Sequence, residues 1–300
     1  MNRISFNFYS FSYSTILSQF YLNGEFVFNG VSVASINNLQ LAINKTFSFA
    51  VSIRNYPRNF YNIHSRGFGE NSNTQNEFGI YTGIKTKLKS TEINFYYDQF
   101  KFPFATLSIP LPSAGYEFLL DVYHSFTAKT KLRLRYTRES KDIKELSYKI
   151  GSQIRQKLRL ELLYNITKNI RMKSRIEFTD IFKKGSYYSD TGFLIFQDLR
   201  FSLFTDFTIY TRLIFFDTES FDSRVYEFEN DLTGVLTNSA LSGKGTKWYF
   251  LINYQLLKNL KISAKYSELH YPELSVISSG LNEIVGNINS KLSFQVDVNL

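Results

Sequence analysis

Three stretches of the chain carry cations at every second position. Lys131, Arg133 and Arg135 form one row, Arg155, Lys157 and Arg159 the next, and Arg171, Lys173 and Arg175 a third. Glu161 and Glu177 continue the second and third rows. The intervening positions are mostly apolar: Leu132 and Leu134, then Leu158, Leu160 and Leu162, then Ile170, Met172, Ile176 and Phe178. Successive side chains of a strand point to opposite faces, so each stretch reads as a strand with one greasy and one basic face. If consecutive strands pair, the cations gather on one wall with two carboxylates among them. Charge facing lipid costs roughly 2–4 kcal/mol per residue near a bilayer midplane, so that wall is expected to face water. Its chemistry would be to draw in or dock an anionic solute. The plainer reading is a wet interior whose charges pair with an inserted loop.

A counterpart to the cations lies further on. Asp217, Glu219, Asp222, Glu227, Glu229 and Asp231 fall close together, against a single Arg224. Several oxygens in one loop suit a hard cation such as Ca²⁺, but this spacing fits no EF-hand and lacks its turn glycine. The preferred expectation is a loop folded back against the basic wall. Catalytic chemistry has little to work with. His64, His124 and His270 sit in separate segments without a nucleophile motif, and the absence of cysteine excludes thiolate metal sites and disulfides. Arg66-Gly67-Phe68-Gly69-Glu70 lacks the strand–helix setting of a phosphate loop. No catalytic residue, metal or cofactor is therefore expected. Tyr81, Tyr96 and Tyr210 are candidates for stacking a base inside, with nothing to single them out.

The elements that must hold these residues are strands. Leu292, Phe294, Val296, Val298 and Leu300 alternate with Ser293, Gln295, Asp297 and Asn299. That is about the nine to eleven residues a tilted strand needs to cross a bilayer. It resembles the closing strand of outer-membrane β-barrels, whose terminal apolar residue serves as the membrane-insertion signal read by the barrel-assembly machinery. Aromatic residues make up 17% of the chain, with 30 Phe and 21 Tyr, as interfacial girdles require. No run of about 18 apolar residues exists to make a membrane helix. The net charge of +9 favours anionic partners only mildly.

Short turns recur at Asn44-Lys45-Thr46, Lys89-Ser90, Ala128-Lys129-Thr130, Thr167-Lys168-Asn169, Leu203-Phe204-Thr205 and Lys258-Asn259. They predict strands over 3–13, 18–28, 37–44, 46–55, 78–88, 91–101, 116–126, 130–139, 152–166, 169–181, 191–202, 206–217, 246–257 and 260–270, before the closing strand. Residues 217–245 read as one long loop. Single-chain bacterial barrels have an even number of strands. With about fifteen visible and no leader in MNRISFNFYSFSYS, the whole of 1–300 is expected to be the C-terminal barrel of a longer chain, with strands and export signal upstream.

Four stretches together carry a resemblance: Gly67 to Lys85 (GFGENSNTQNEFGIYTGIK), Tyr97 to Phe104 (YDQFKFPF), Arg224 to Leu236 (RVYEFENDLTGVL) and Gly243 to Leu257 (GKGTKWYFLINYQLL). They resemble the C-terminal barrel-like region of large envelope proteins whose N-terminal part carries helix-hairpin-helix repeats like those of the competence DNA-binding protein ComEA. The resemblance implies a structural module and a link to DNA through a part not present in these residues.

The fold class expected is all-β, an antiparallel transmembrane β-barrel in the outer membrane of a Gram-negative-type envelope. The function expected is that of a pore or anchor within a larger envelope protein, not an enzyme. Its partners would be outer-membrane lipid, the barrel-assembly machinery and an anionic solute or nucleic acid. The alternatives are a DNA-uptake component, a barrel hydrolase and a soluble β-rich surface protein.

Overall fold

The computed structural model describes residues 7–62, 66–145, 150–184 and 189–298. Strands follow one another from β1 (Tyr9–Leu17) and β2 (Phe20–Phe28) to β3 (Val33–Asn44) and β4 (Phe47–Tyr56). Next come β5 (Glu77–Leu88), β6 (Thr91–Phe102), β7 (Ser113–Ser125) and β8 (Thr130–Lys144). They are followed by β9 (Ile150–Asn165), β10 (Ile170–Lys183), β11 (Ser189–Phe204) and β12 (Phe207–Thr218). A detached hairpin, β13 (Val225–Phe228) with β14 (Asn238–Leu241), precedes β15 (Lys244–Leu257) and β16 (Leu260–His270). A two-residue pair, β17 (Val276–Ile277) and β18 (Ile284–Val285), leads to β19 (Ile288–Val298). Leaving out the two small pairs, the other strands form a single 15-stranded sheet in chain order. Two compact units are distinguished within the chain: β1 to β6 belong to the first, β11 to β19 to the second, and β7 to β10 contribute to both.

The tight turns are built by short polar side chains that hold the backbone, as turn chemistry requires. Asn44 Oδ1 accepts from the Thr46 and Phe47 amides, each at 2.8 Å. Thr127 Oγ1 takes the Lys129 and Thr130 amides at 3.1 and 3.0 Å, and Thr167 Oγ1 takes those of Asn169 and Ile170, each at 3.1 Å. Ser18 and Lys89 adopt left-handed backbone at φ 57° and 52° to close theirs.

Burial is inverted relative to a water-soluble protein. On β12, Leu213 and Phe215 are 44% and 48% exposed, while Arg212 between them and the turn is only 5% exposed. Similarly, Leu158, Leu160, Phe178 and Phe250 are exposed on their strands, and Arg175, Glu177, Asp198 and Lys265 are buried. Soluble proteins almost never bury Arg, Lys, Asp and Glu while exposing large apolar side chains on the same strands. An apolar face this extensive demands an apolar solvent, and only helices or strands with all backbone bonds satisfied survive there. The fold class is the antiparallel β-barrel of outer membranes. The expected alternation holds in β19, where Leu292, Phe294, Val296 and Val298 are exposed and pair toward β16; Leu300 lies outside the described residues.

Two expectations are corrected. The strands read at 3–13 and 18–28 are Tyr9–Leu17 and Phe20–Phe28, joined by a turn at Ser18 and Gln19, with residues 3–6 outside the described part. Ser-Gln carries no Gly or Asn turn signal, and Ile16 and Leu17 blur the phase on the strand. The segment 217–245 is not a plain loop. It starts with Asp217 still paired to Lys244 and contains the β13–β14 hairpin.

The lipid-facing assignment is testable on one strand. Leu213→Arg should cost about 2–4 kcal/mol of unfolding free energy in lipid, as a charge near the midplane of a barrel's outer face does. Equilibrium urea unfolding in phospholipid vesicles, followed by Trp248 emission, measures it; a change within about 0.5 kcal/mol would place Leu213 away from lipid.

Candidate functional site

In the second unit the cationic rows fall on the polar phase, as their spacing requires. Glu161 is the hub. Arg175 donates to Glu161 from Nε at 2.6 Å and from a terminal nitrogen at 2.5 Å, with Lys173 at 3.5 Å and Arg133 at 3.4 Å from the same carboxylate. Arg159 Nε donates to Glu177 at 2.7 Å. In the first unit Arg155 lies 3.8 Å from Glu139, which also holds Lys141. Their apolar neighbours Leu134, Leu158 and Leu160 are exposed on the other face. The structure thus brings Arg133, Arg159, Lys173 and Arg175 together around two carboxylates. Lys131 is exposed near the start of β8, while Arg135, Lys157 and Arg171 are half-buried.

The acidic segment does fold back, but onto other cations. Arg212 on β12 holds Asp198 through Nε at 3.0 Å, donates to the Phe228 carbonyl at 2.7 Å and pairs with Glu227. Lys265 on β16 bridges Glu229 and Asp231, each at 2.8 Å, and Lys247 on β15 pairs with Glu229. Of the nine predicted cations, Lys157 reaches the hairpin, with its ammonium 5.9 Å from the Tyr226 ring centre. The correction has a physical cause. Val225 and Leu241 of the hairpin pack with Leu194, Phe196, Ile214 and Phe216, so β11 and β12 are apolar on the inward phase too. Leu232 packs likewise against Tyr249 and Leu251. That apolar seat fixes where the acids land. Alternation alone hid Arg212, Lys247 and Lys265, because none belongs to a run of cations at every second position.

The remaining acids go separate ways. Glu219 accepts the Thr191 amide at 2.6 Å, and among the described residues no three His, Asp or Glu side chains gather as metal ligands would. His270 Nε2 lies 3.1 Å from Asn287 Nδ2 and His124 packs edge-on to Phe126 at 4.5 Å, while His64 lies outside the described residues.

A third charged cluster, which sequence reading missed, sits in the first unit. Arg54 is completely buried, donating to Glu77 at 2.6 Å and to both oxygens of Asp98 at 2.8 and 3.1 Å. Its guanidinium lies over Gly79, where a Cβ would come within 2.3 Å of Cζ. The strand pairing Arg54 with Gly79 and Tyr81 with Asp98 brings these distant residues together. Glu77 also accepts the amides of Glu70 and Asn71 at 3.0 and 2.8 Å, tying down the long connection after β4.

No protein-family description and no characterised protein sequence matches the chain. Among solved structures, the outer-membrane protein OmpT of Vibrio cholerae is 9% identical over 98% of this chain and 95% of its own, with a TM-score of 0.43. The ferric yersiniabactin uptake receptor FyuA of Yersinia pestis is 14% identical over 88% of this chain and 52% of its own, at 0.44. The NanC porin is 10% identical over 75% and 94%, at 0.37. At these values they carry neither ligand nor role to this chain. The location is the outer membrane, the home of strands that are apolar outward and charged inward.

The hairpin's acids give a pH dependence whose sign is fixed. Burial alone would raise Glu229, but Lys247 and Lys265 reverse it and leave its pKa below the usual range. Burial opposes Asp231 too, and Lys265, Thr237 and the Leu232 amide bring it down likewise. A lowered folded pKa stabilises docking above the ordinary carboxylate value of about 4, and that stability is lost as pH falls through the folded pKa. A spin label at Val235→Cys should therefore stay immobile from neutral pH to about 5 and loosen below about 4; mobility that is flat across that window would contradict the pairing.

Proposed function

We propose that the sheet closes round a water-filled passage and that the protein acts as an outer-membrane pore, without catalytic chemistry, selecting anionic solutes. The observation that carries the reading is the cationic row on the inward phase of β8, β9 and β10. Four cations there, Arg133, Arg159, Lys173 and Arg175, share Glu161 and Glu177. Rings or walls of cations on a water-filled passage attract anions and set selectivity, and the effect is strongest where low-dielectric walls limit screening. The paired members hold the row rigid. The excess charge, with half-buried Lys157 and Arg171 beside it, is what a passing carboxylate or phosphate would meet. The hairpin seated on Arg212, Lys247 and Lys265 would narrow the passage from one side. Polyanions belong to the same solute class, and the resemblance to envelope proteins with ComEA-like repeats makes a nucleic-acid strand the extreme member of it.

Purified protein in planar bilayers should conduct, with a reversal potential on the anion side in a salt gradient. Lys157→Glu with Arg171→Glu, which leaves the Glu161 and Glu177 pairs intact, should move that potential toward cations. A short single-stranded oligonucleotide added on one side should block more at low salt than at high salt. Selectivity unchanged by the double substitution would remove the basic wall from the mechanism, and a protein that inserts without conducting would be an anchor.

A further inference from the structure

The polar face of the first unit carries a hollow that the anion-selective wall does not explain. Two rows of paired residues form it. Asn38, Ser52, Tyr81 and Asp98 lie opposite one another across β3 to β6, and Gln40, Ala50, Gly83 and Tyr96 form the adjoining row. Ala50, Ser52 and Gly83 are small, and where small side chains adjoin in a row of large ones the surface sinks. The cavity measures about 510 Å³, within the roughly 300–1,000 Å³ range of small-molecule sites.

Its lining is aromatic and acidic. The Tyr81 and Tyr96 rings lie 5.4 Å apart between centres, and Phe68 stands edge-on to Tyr81 at 5.7 Å. Phe68 is held there by its own carbonyl, which accepts the Tyr56 hydroxyl at 2.8 Å. Three carboxylates reach the cavity: Asp98, Glu70 and Glu117. Asp98 is occupied by Arg54, and Glu70 by Lys141 at 2.9 Å. Glu117 accepts the Tyr96 hydroxyl and, among the described residues, meets no cation at ion-pair distance. A second polar group waits beside it. Ser52, only 8% exposed, lines the cavity with a buried hydroxyl that has no hydrogen-bond partner among the described residues. Buried polar groups are nearly always satisfied, and such an exception calls for an explanation.

We propose that this hollow binds an aliphatic primary ammonium ion. Glu117 supplies the uncompensated negative charge, the Ser52 hydroxyl accepts an N–H, and the faces of Tyr81 and Tyr96 attract the cation through their ring quadrupoles. Methylene groups of the amine lie against Phe68. An anionic solute would meet Glu117, which has no cation at ion-pair distance among the described residues. A neutral polyol would leave Glu117 unpaired. In a chain of net charge +9, an acid-lined hollow runs against the general field and selects for the opposite class of solute from the basic row.

The test is calorimetric titration of the full chain in detergent micelles with cadaverine, pentanediol and glutarate, three ligands of equal length and different charge. Cadaverine should bind saturably, pentanediol at least about tenfold more weakly, and glutarate not measurably. Glu117→Gln should weaken cadaverine binding by about tenfold or more, the scale of a lost hydrogen bond to a charged group. Ser52→Ala should weaken it severalfold, and it serves as the deciding variant if heat-modifiable gel mobility shows Glu117→Gln to be misfolded. Glu92→Gln, an acid at the far end of β6 paired with Lys85, should leave it unchanged. No saturable cadaverine binding, equal binding of pentanediol (a neutral polyol site), or binding indifferent to both Glu117→Gln and Ser52→Ala would each overturn the proposal.

Discussion

The structure depends on where charge is allowed to be. Most large apolar side chains of the strands are committed to the lipid side, so only local apolar clusters, the seat of the β13–β14 hairpin among them, pack on the polar face. Cohesion there comes from the backbone ladder and from matched charges, and every buried ion must find its opposite. Arg54 with Glu77 and Asp98, Glu161 with Arg133, Lys173 and Arg175, and Arg212 with Asp198 and Glu227 are the same solution repeated along the sheet. Removing one member of such a set leaves a buried charge uncompensated, at a cost of about 3–5 kcal/mol. Replacing a whole set with apolar groups of matching shape would be far cheaper.

The same rule places the loops. The connection after β4 is drawn in by Glu77, which takes two of its amides while holding Arg54. The β13–β14 hairpin is drawn in by Arg212, Lys247 and Lys265, and an apolar seat formed with Leu194, Phe196, Ile214 and Phe216 completes its docking. Strand charges therefore act twice: they satisfy one another across the sheet, and they decide which segment covers which part of it. The acid-lined hollow and the basic row are local outcomes of one pattern, set by which residues the strand register brings side by side.

Much of this was legible in the chain as written. Period-two alternation located β5, β9, β10 and β19, because one phase is apolar and the other polar throughout. Asn44 and Thr167 marked turns, because their side chains can cap backbone amides at a chain reversal. The cations of β8, β9 and β10 declared their face because three recur at every second position on one phase of each strand. Arg54, Arg212, Lys247 and Lys265 did not. None belongs to a run of cations at every second position, and its partner is fixed by register or by a returning loop, neither of which a linear pattern records. The hollow was illegible for a related reason: Gly83 comes beside Ala50 and Ser52 only when β4 and β5 pair. Tyr81 and Tyr96 were visible as inward aromatics, but not as two walls of one site.

The most direct test of the inverted face uses the absence of native cysteine, which permits a single-cysteine scan along β12 from Thr211 to Phe216. With a spin label at each position in lipid vesicles, collision with oxygen should peak at Thr211, Leu213 and Phe215 and fall at Arg212, Ile214 and Phe216. A scan without that two-residue rhythm, or one in which Arg212 and Ile214 meet the lipid-soluble collider while Leu213 and Phe215 do not, would contradict the account from its first step.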